Sequence, residues 1–327
     1  MSEAMQERLA WIAVDWGSSN LRAWAMDERG EVLARGSSDK GMLALAQEDY
    51  EPALLETVGD WLPASGRVPV WVCGMAGARQ GWQEAVYLPV PARLGELARA
   101  AVAPAVDEPR LDVRLLPGLC QHADPAGRAF DVMRGEETQL AGLVAREPGF
   151  TGLVCLPGTH AKWAWLEEGA VTRFATHLTG ELYRLLASQS VLKHSVADAE
   201  LDAPGCREAF VAAVRDAHAE PGRFGQQLFG LRAADLLDDA LPSGAARHAR
   251  LGARLSGLTI GLELSGMRHD LSGAAVTLIG SEALCNRYTL ALEALGHDSR
   301  RLDGEAAVLA GLGLAQADQR RQKGGNL

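Results

Sequence analysis

Two stretches of the sequence repeat one plan and together limit the folds open to this chain. The first, VDWGSSNLRAW (14–24), is an apolar run that ends at Asp15 and turns through Gly-Ser-Ser-Asn before a second apolar run. The second, CLPGTHAKWAW (155–165), has the same order, and aligning Gly17 with Gly158 also aligns the Ala-Trp pair that follows each turn. Apolar runs broken by Gly and hydroxyl residues predict β-hairpins with polar tips. A duplication favours two related α/β domains facing each other across a cleft, with both turns directed into it; two unrelated hairpins are the alternative.

Length and composition fit a globular protein of two ordinary domains. The 327 residues are 47% hydrophobic and 23% charged, which is enough for two ordinary cores. No run approaches a membrane span, and the N-terminal MSEAMQERLA lacks the pattern of a secretion signal, so we expect a cytoplasmic protein. The formal net charge of -10 argues against nucleic acid and against a membrane surface as partners. Five widely separated cysteines without a C-x-x-C motif indicate neither a disulfide framework nor a structural zinc site.

The turns could bind phosphate groups. The sequence contains no P-loop, dinucleotide fingerprint, zincin motif or hydrolase elbow. A tight turn of Gly and hydroxyl residues offers backbone N–H and side-chain O–H groups to an anion, and a carboxylate at a strand end can hold hydrated Mg²⁺. Asp15 stands at such a strand end. The alternative is that Asp15 only caps the amides of its own turn.

Six segments carry a resemblance to a known family. In chain order they are DWGSSNLR, RGEETQLAG, LPGTHAKW, TGELY, LIGSEAL and GEAAVLAGL. The chain resembles the 2-dehydro-3-deoxygalactonokinase family, in the sugar-kinase branch of the actin/hexokinase/Hsp70 ATPase superfamily, over nearly its whole length. The resemblance implies two actin-like (ribonuclease H-like) α/β domains, ATP and Mg²⁺ as cofactors, and phosphorylation of the terminal 6-hydroxyl of a keto-deoxy sugar acid in galactonate catabolism. One departure is Pro157, which stands where most superfamily members begin the second turn with Asp.

The resemblance also implies a distribution of roles along the chain. Residues 1–148 would form the sugar-acid-binding domain and 149–327 the nucleotide-binding domain, with the last helix, about 303–317, packing back on the first. Asp15 would place the metal and belong to the catalytic set. The nucleotide-binding candidates are Gly17, Ser18, Ser19, Asn20, Gly158, Thr159, His160, Gly280 and Ser281; the substrate-binding candidates are Arg22, Arg79, Gly41 and Met42. We expect no nucleic-acid or membrane partner and consider a homodimer.

The catalytic base is sought in RGEETQLAG, where Glu136 and Glu137 follow Gly135 at the start of a predicted helix, 135–147. Adjacent helical residues diverge by roughly 100°, so only one can point into the cleft. In related kinases a Gly-Asp pair opens this helix, and that register places Glu136 on the catalytic Asp. The alternative is that both glutamates only favour the positive end of the helix dipole, which is the interpretation taken for Glu137.

Several assignments keep a second interpretation. His160 is either a phosphate contact or a local hydrogen-bonding residue, and Lys162 is expected to point outward from an early strand position. Arg79 either binds a substrate carboxylate or pairs with Glu84 at the surface, and Arg22 is the other candidate for the carboxylate. Two alternatives to the activity stay open, a kinase of the same fold for another sugar or sugar acid and a non-catalytic nucleotide sensor.

Overall fold

The first predicted hairpin is part of a five-stranded sheet. A computed structural model describes residues 6–123, 129–271, 273 and 275–324. The first strands are β1 (Trp11–Trp16), β2 (Leu21–Met26), β3 (Val32–Ser38), β4 (Val68–Gly74), β5 (Tyr87–Pro89), β6 (Ala92–Arg93) and β7 (Leu111–Leu115). The sheet has the order β3-β2-β1-β4-β7, in which β2 is antiparallel to β1 while β4 and β7 run parallel to it. The central strand β1 is apolar at almost every position, which is typical of a strand covered on both faces.

Alternation along β1 divides its side chains between two cores. Ile12, Val14 and Trp16 pack on one face of the sheet, against helix α1 (Tyr50–Val58). Trp11 and Ala13 point to the other face. Trp11 of β1, Trp24 of β2 and Trp71 of β4 lie on that face. They pack against the last helix, at Val308, Leu312 and Ala315.

The last helix, numbered α8 below (Gly304–Gly324), also packs on α2 (Glu136–Arg146). A Cβ atom added at Gly142 of α2 would lie 1.8 Å from the carbonyl oxygen of Ala307, and one added at Gly311 would lie 2.0 Å from that of Thr138. The two backbones therefore touch, and only glycine fits at these two positions of the crossing.

The second sheet repeats the strand order of the first. The remaining strands are β8 (Gly118–Gln121), β9 (Asp131–Met133), β10 (Gly152–Leu156), β11 (Ala161–Glu167), β12 (Ala170–His177), β13 (Val276–Gly280) and β14 (Ser299–Asp303). The order β14-β13-β10-β11-β12-β6 matches that of the first sheet, with β10 to β12 in the places of β1 to β3, and β10, β13 and β14 are parallel. A small third sheet has the order β5-β8-β9.

The helices between β12 and β14 are α3 (Thr179–Gln189), α4 (Cys206–Ala219), α5 (Phe224–Leu237), α6 (Ala245–Gly266) and α7 (Glu282–Ala294). Leucine and alanine side chains of α4, α5 and α6 form their own core there. Contacts divide the chain into a first unit, Met1–Thr151 with Trp165–Phe174 and Gly304–Leu327, and a second unit, Gly152–Ala164 with Ala175–Asp303. The predicted α/β fold class, with two related sheets, is confirmed, and both predicted hairpins are present.

None of the helices in the described part of the chain combines the length and the apolar character that crossing a bilayer requires.

Candidate active site

The first polar turn is held in shape by its own backbone and by the segment after β3. The N–H of Gly17 donates to the carbonyl of Asn20 at 2.8 Å, which closes the turn. The N–H of Met42 donates to the carbonyl of Gly17 at 3.1 Å, and Gly41 lies against the backbone of residues 18–20 so closely that a Cβ atom would overlap it. Ser18, Ser19 and Asn20 remain exposed. The structure thus brings the predicted residues 17–20, 41 and 42 together as a preformed turn.

Asp15 leads into this turn with both carboxylate oxygens engaged. Arg22, directly across the hairpin in the β1–β2 register, forms a short ion pair with Oδ2. The Cys73 thiol lies 3.8 Å from Oδ1. The carboxylate still has 18% of its side-chain surface exposed, so it can exchange a partner for a ligand. Arg22, predicted to bind substrate, is placed here as the direct partner of the predicted metal-binding residue.

The end of β4 and the start of α2 pack together at two glycines, Gly74 and Gly135. Gly74 has φ +86° and Gly135 φ +107°, values that favour glycine. A Cβ atom on Gly74 would lie 3.6 Å from Oδ1 of Asp15, and one on Gly135 would lie 3.4 Å from the Cα atom of Gly74. The N-terminus of α2 is therefore next to the carboxylate at the end of β1. The structure thus brings Asp15 close to the start of the helix that carries Glu136.

The two glutamates at this N-terminus have different environments. Glu136 is partly exposed, and its Oε2 accepts from the N–H of Arg134 at 3.1 Å. Glu137 is 1% exposed and accepts from the N–H of Gly135 at 2.7 Å and from the hydroxyl of Thr138 at 3.0 Å. Burial, together with the neighbouring Glu136 charge, raises the pKa of Glu137 to about 8. Glu136 is the carboxylate that solvent or a ligand can reach.

Arg79 occupies the surface arrangement that was its alternative interpretation. Its side chain is 81% exposed, and Nε lies 3.4 Å from Glu84 Oε1. Such an exposed pair is weak and can open at little cost. A role in binding a carboxylate stays a prediction.

In the second unit, the turn at Gly158 lies against the N-terminus of α3. A Cβ atom on Gly180 would lie 2.4 Å from the carbonyl oxygen of Gly158, and the N–H of Glu181 donates to the carbonyl of Thr159 at 2.9 Å. His160 Nε2 lies 2.5 Å from Glu181 Oε2, which is the local hydrogen bond considered for this histidine.

Two further predicted nucleotide-binding residues, Gly280 and Ser281, lie beside the turn at Gly158. Gly280 ends β13, and a Cβ atom there would lie 3.6 Å from the carbonyl oxygen of Pro157. Ser281 follows and precedes α7. A cavity of about 300 Å³ opens beside Gly158, and its lining also includes Thr179, Tyr183, Arg287 and Tyr288. Of the predicted nucleotide-binding residues of the second unit, Gly158 lines this cavity. The nucleotide-binding role of these residues stays a prediction.

The expectation for Lys162 was wrong. It is 6% exposed, and its ammonium group donates to the hydroxyl of Thr176 at 2.7 Å on the neighbouring strand. The strand is covered on both faces, so a position next to the turn does not place a side chain in water.

Three further residues lie near the second turn and were not among the predicted site residues: Tyr183, Arg287 and Glu263. Glu263 is the only carboxylate in the apolar stretch LTIGLELSG, and such an isolated charge is the one signal that could have indicated a buried polar contact. Tyr183 ends the segment TGELY, which carried part of the family resemblance but had been given no role of its own. Arg287 stands in an amphipathic helix, where no pattern distinguishes it.

Asp15 and the hydroxyl groups beside it fit an Mg²⁺ ion that is supplied with a nucleotide. Among the described residues no three His, Cys, Asp or Glu side chains form a group that could hold a metal ion. Asp15 offers a hard oxygen ligand beside exposed hydroxyl groups, and Mg²⁺ is commonly bound by one or two carboxylates, substrate phosphates and water.

Comparison with known proteins places the chain in a family. A family model described as 2-keto-3-deoxy-galactonokinase matches residues 15–315. The chain belongs to the 2-keto-3-deoxy-galactonokinase family. A family member from Rhizobium meliloti (strain 1021), named a probable 2-dehydro-3-deoxygalactonokinase, is 43% identical over 93% of this chain and 96% of its own. The 2-dehydro-3-deoxygalactonokinase of Escherichia coli (strain K12) is 33% identical over 92% of this chain and 96% of its own.

A solved structure extends the similarity to three dimensions. The crystal structure of a candidate 2-dehydro-3-deoxygalactonokinase from Sinorhizobium meliloti superposes with a TM-score of 0.84 at 39% identity, covering 94% of this chain and 99% of that one. The family predicted from the six sequence segments is confirmed.

Proposed function

We propose that this protein is an ATP-dependent kinase that transfers the γ-phosphoryl group of ATP to the terminal 6-hydroxyl of 2-dehydro-3-deoxy-D-galactonate. Membership of the kinase family supports the reaction class and the substrate. The observation that carries the assignment is the convergence of Asp15, the preformed turn 17–20 and the N-terminus of α2 through Gly74 and Gly135. Phosphoryl transfer requires mainly positioning and neutralisation of charge, and these residues can supply both.

The first unit would hold the sugar acid and the reacting groups. Glu136 accepts the proton of the 6-hydroxyl group as the 6-hydroxyl oxygen forms a bond to the γ-phosphorus of ATP. The bond between the γ-phosphorus and the β,γ-bridging oxygen breaks at the same time, which releases ADP. Asp15 would hold Mg²⁺, which would neutralise phosphate charge. Arg22 keeps the Asp15 carboxylate oriented through their ion pair. The exposed turn 17–20 offers N–H and O–H donors to phosphate oxygens.

The second unit would hold the nucleotide. Gly158 and Thr159 offer donors to phosphate, and the cavity of about 300 Å³ that Gly158 lines receives the nucleoside. Gly280 and Ser281 are the further candidates for contacting it. Tyr183 and Arg287 line that cavity and can contact the base and ribose. The volume lies at the lower end of the range for small-molecule pockets. We further propose that the protein acts in the cytoplasm on small molecules alone.

The experiment is ADP release with Mg-ATP against a panel of hexonate-derived keto-deoxy acids. We expect turnover with 2-dehydro-3-deoxy-D-galactonate and lower kcat/KM for its C4 epimer. A higher kcat/KM for another acid would replace the substrate and keep the kinase class. Nucleotide binding without turnover on any acid would favour the sensor. Wild-type protein lacking both turnover and nucleotide binding would refute the proposal entirely.

A further inference from the structure

Glu263 is a fully enclosed carboxylate in the middle of the second unit. It lies on α6, its residue surface is 3% exposed, and burial raises its pKa. Its two oxygens accept three hydrogen bonds: from Trp163 Nε1 at 2.7 Å, from the Tyr288 hydroxyl at 2.7 Å, and a short one from the Thr179 hydroxyl. Burying a carboxylate costs several kcal/mol by itself, so an apolar residue would serve α6 better if packing were the only need.

The three donors belong to three different elements around one place. Trp163 is on β11, just after the turn at Gly158. Thr179 is the first residue of α3. Tyr288 is on α7 and lines the 300 Å³ cavity, as does Thr179. The indole N–H of Trp163 can only donate, and both hydroxyl groups also donate here, so the two carboxylate oxygens receive all three donors.

The position of α3 determines the position of the turn. Gly180, next to Thr179, is packed against the carbonyl of Gly158 with no room for a Cβ atom, and Glu181 donates its N–H to Thr159 at 2.9 Å. A shift of the α3 N-terminus would therefore move the backbone of residues 158 and 159. Trp163 fixes the same turn from its other end, along β11.

We propose that Glu263 is a positioning residue for nucleotide binding: through Trp163, Thr179 and Tyr288 it holds the turn 158–160 and the adjacent cavity wall in the geometry that a nucleoside triphosphate requires. The inference rests on the proposed function, since it assigns the nucleotide to this turn. Glu263 does not itself contact the nucleotide, so its effect is transmitted entirely by the groups that it holds.

The test compares Glu263→Met with Leu264→Ala. Leu264 is the next residue of α6, is 0% exposed, and makes none of these hydrogen bonds. Both variants should be less stable to urea. Calorimetric titration with ADP or a non-hydrolysable ATP analogue, without sugar acid, should show about tenfold weaker binding for Glu263→Met and no change for Leu264→Ala. A turn that is no longer held in the binding geometry must be ordered when the nucleotide binds, and that ordering lowers the affinity. In turnover, KM for ATP should rise by the same factor while KM for the sugar acid stays within twofold.

Conservative variants separate positioning from packing. Glu263→Gln should recover most of the affinity, because an amide oxygen accepts from Trp163 while its NH₂ donates to a hydroxyl oxygen of Thr179 or Tyr288. Thr179→Val should weaken nucleotide binding and Thr179→Ser should restore it, which keeps the proposal testable if Glu263→Met does not fold. Equal nucleotide affinity in Glu263→Met and Leu264→Ala, or in Thr179→Val and wild type, would overturn it.

The controls distinguish this inference from the proposed function. Wild-type protein that binds nucleotide but phosphorylates no sugar acid would refute the substrate assignment, and the affinity comparison would still decide the role of Glu263. Wild-type protein that binds no nucleotide would refute both.

Discussion

Gly142 offers a sharp test of how tightly the helix of the predicted base is held. In Gly142→Ala, the new methyl group would start 1.8 Å from the carbonyl oxygen of Ala307 on α8, whereas contacts under 3.0 Å are essentially never found. The obstacle is backbone, which cannot rotate away as a side chain could. Helices α2 and α8 would have to separate by more than about 1 Å at their crossing, and overpacking of this kind costs about 3 kcal/mol.

Alanine also stabilises the helix itself, and this gain in the free energy of unfolding reduces the net loss. Replacing Gly by Ala inside a helix is worth about 0.8–1.0 kcal/mol, so the expected net loss in free energy of unfolding is about 2 kcal/mol. The displacement would carry Glu136 with it, and a misplacement of about 1 Å can lower a rate by about 10²-fold. We therefore expect loss of both stability and kcat.

Gly313 provides the matched control. It lies in α8, and a Cβ atom there would meet no atom within 4 Å. Gly313→Ala should gain up to about 1 kcal/mol from helix propensity alone. Urea unfolding followed by tryptophan fluorescence suits the comparison, because Trp71 packs beside α8 and donates to Gln316 at 2.7 Å. If Gly142→Ala proved as stable and active as Gly313→Ala, the close crossing would be refuted.

Four further outcomes are expected. Glu136→Gln should lower kcat at least about a hundredfold, because a general base contributes about 10²–10⁴-fold, and calorimetry should show that its affinity for ADP is retained. An equal loss found only in Glu137→Gln would identify Glu137 as the base. Asp15→Asn should abolish turnover by loss of metal placement while circular dichroism and melting stay near wild type, and wild-type turnover would remove Asp15 from the mechanism. Arg79→Lys should raise KM for the sugar acid far more than KM for ATP, and an unchanged ratio in steady-state kinetics would leave the surface pair with Glu84 as its role. The pKa of Glu137 is raised from 4.5 to about 8, so its neutral carboxyl group stabilises the fold fully below pH 4.5, and this contribution is lost as the pH rises through 8. Glu137→Gln should therefore flatten the decline of the free energy of unfolding between pH 4.5 and 8 in urea titrations. An unchanged slope would contradict the raised pKa.

The fold was predictable where local chemistry and burial agree. Both hairpins follow from apolar runs interrupted by Gly and hydroxyl residues, and the observed β1, β2, β10 and β11 lie where those runs predicted strands. The helix at 136 was predictable from its acidic first turn and apolar spacing, as was the family from six short segments.

Side-chain direction was less predictable, because it depends on which elements cover a strand or helix. Lys162 was expected outward and is buried, since β11 is covered on both faces. Two adjacent glutamates look alike in sequence, yet only Glu137 is enclosed, and that difference comes from the packing of α2 on its neighbours. The partners of Glu263 lie 25 to 100 residues away along the chain, so no local pattern could reveal them.

The placement of α8 has a consequence for the order in which the chain can fold during synthesis. The apolar face of the first sheet that carries Trp11, Trp24 and Trp71 is covered by residues 308–315, which follow the whole second unit in sequence. A ribosome adding about 5–20 residues per second would finish the first sheet many seconds before its cover emerges. Until then the nascent chain exposes three tryptophans on one sheet face, a surface that chaperones bind and that favours aggregation when synthesis stops early.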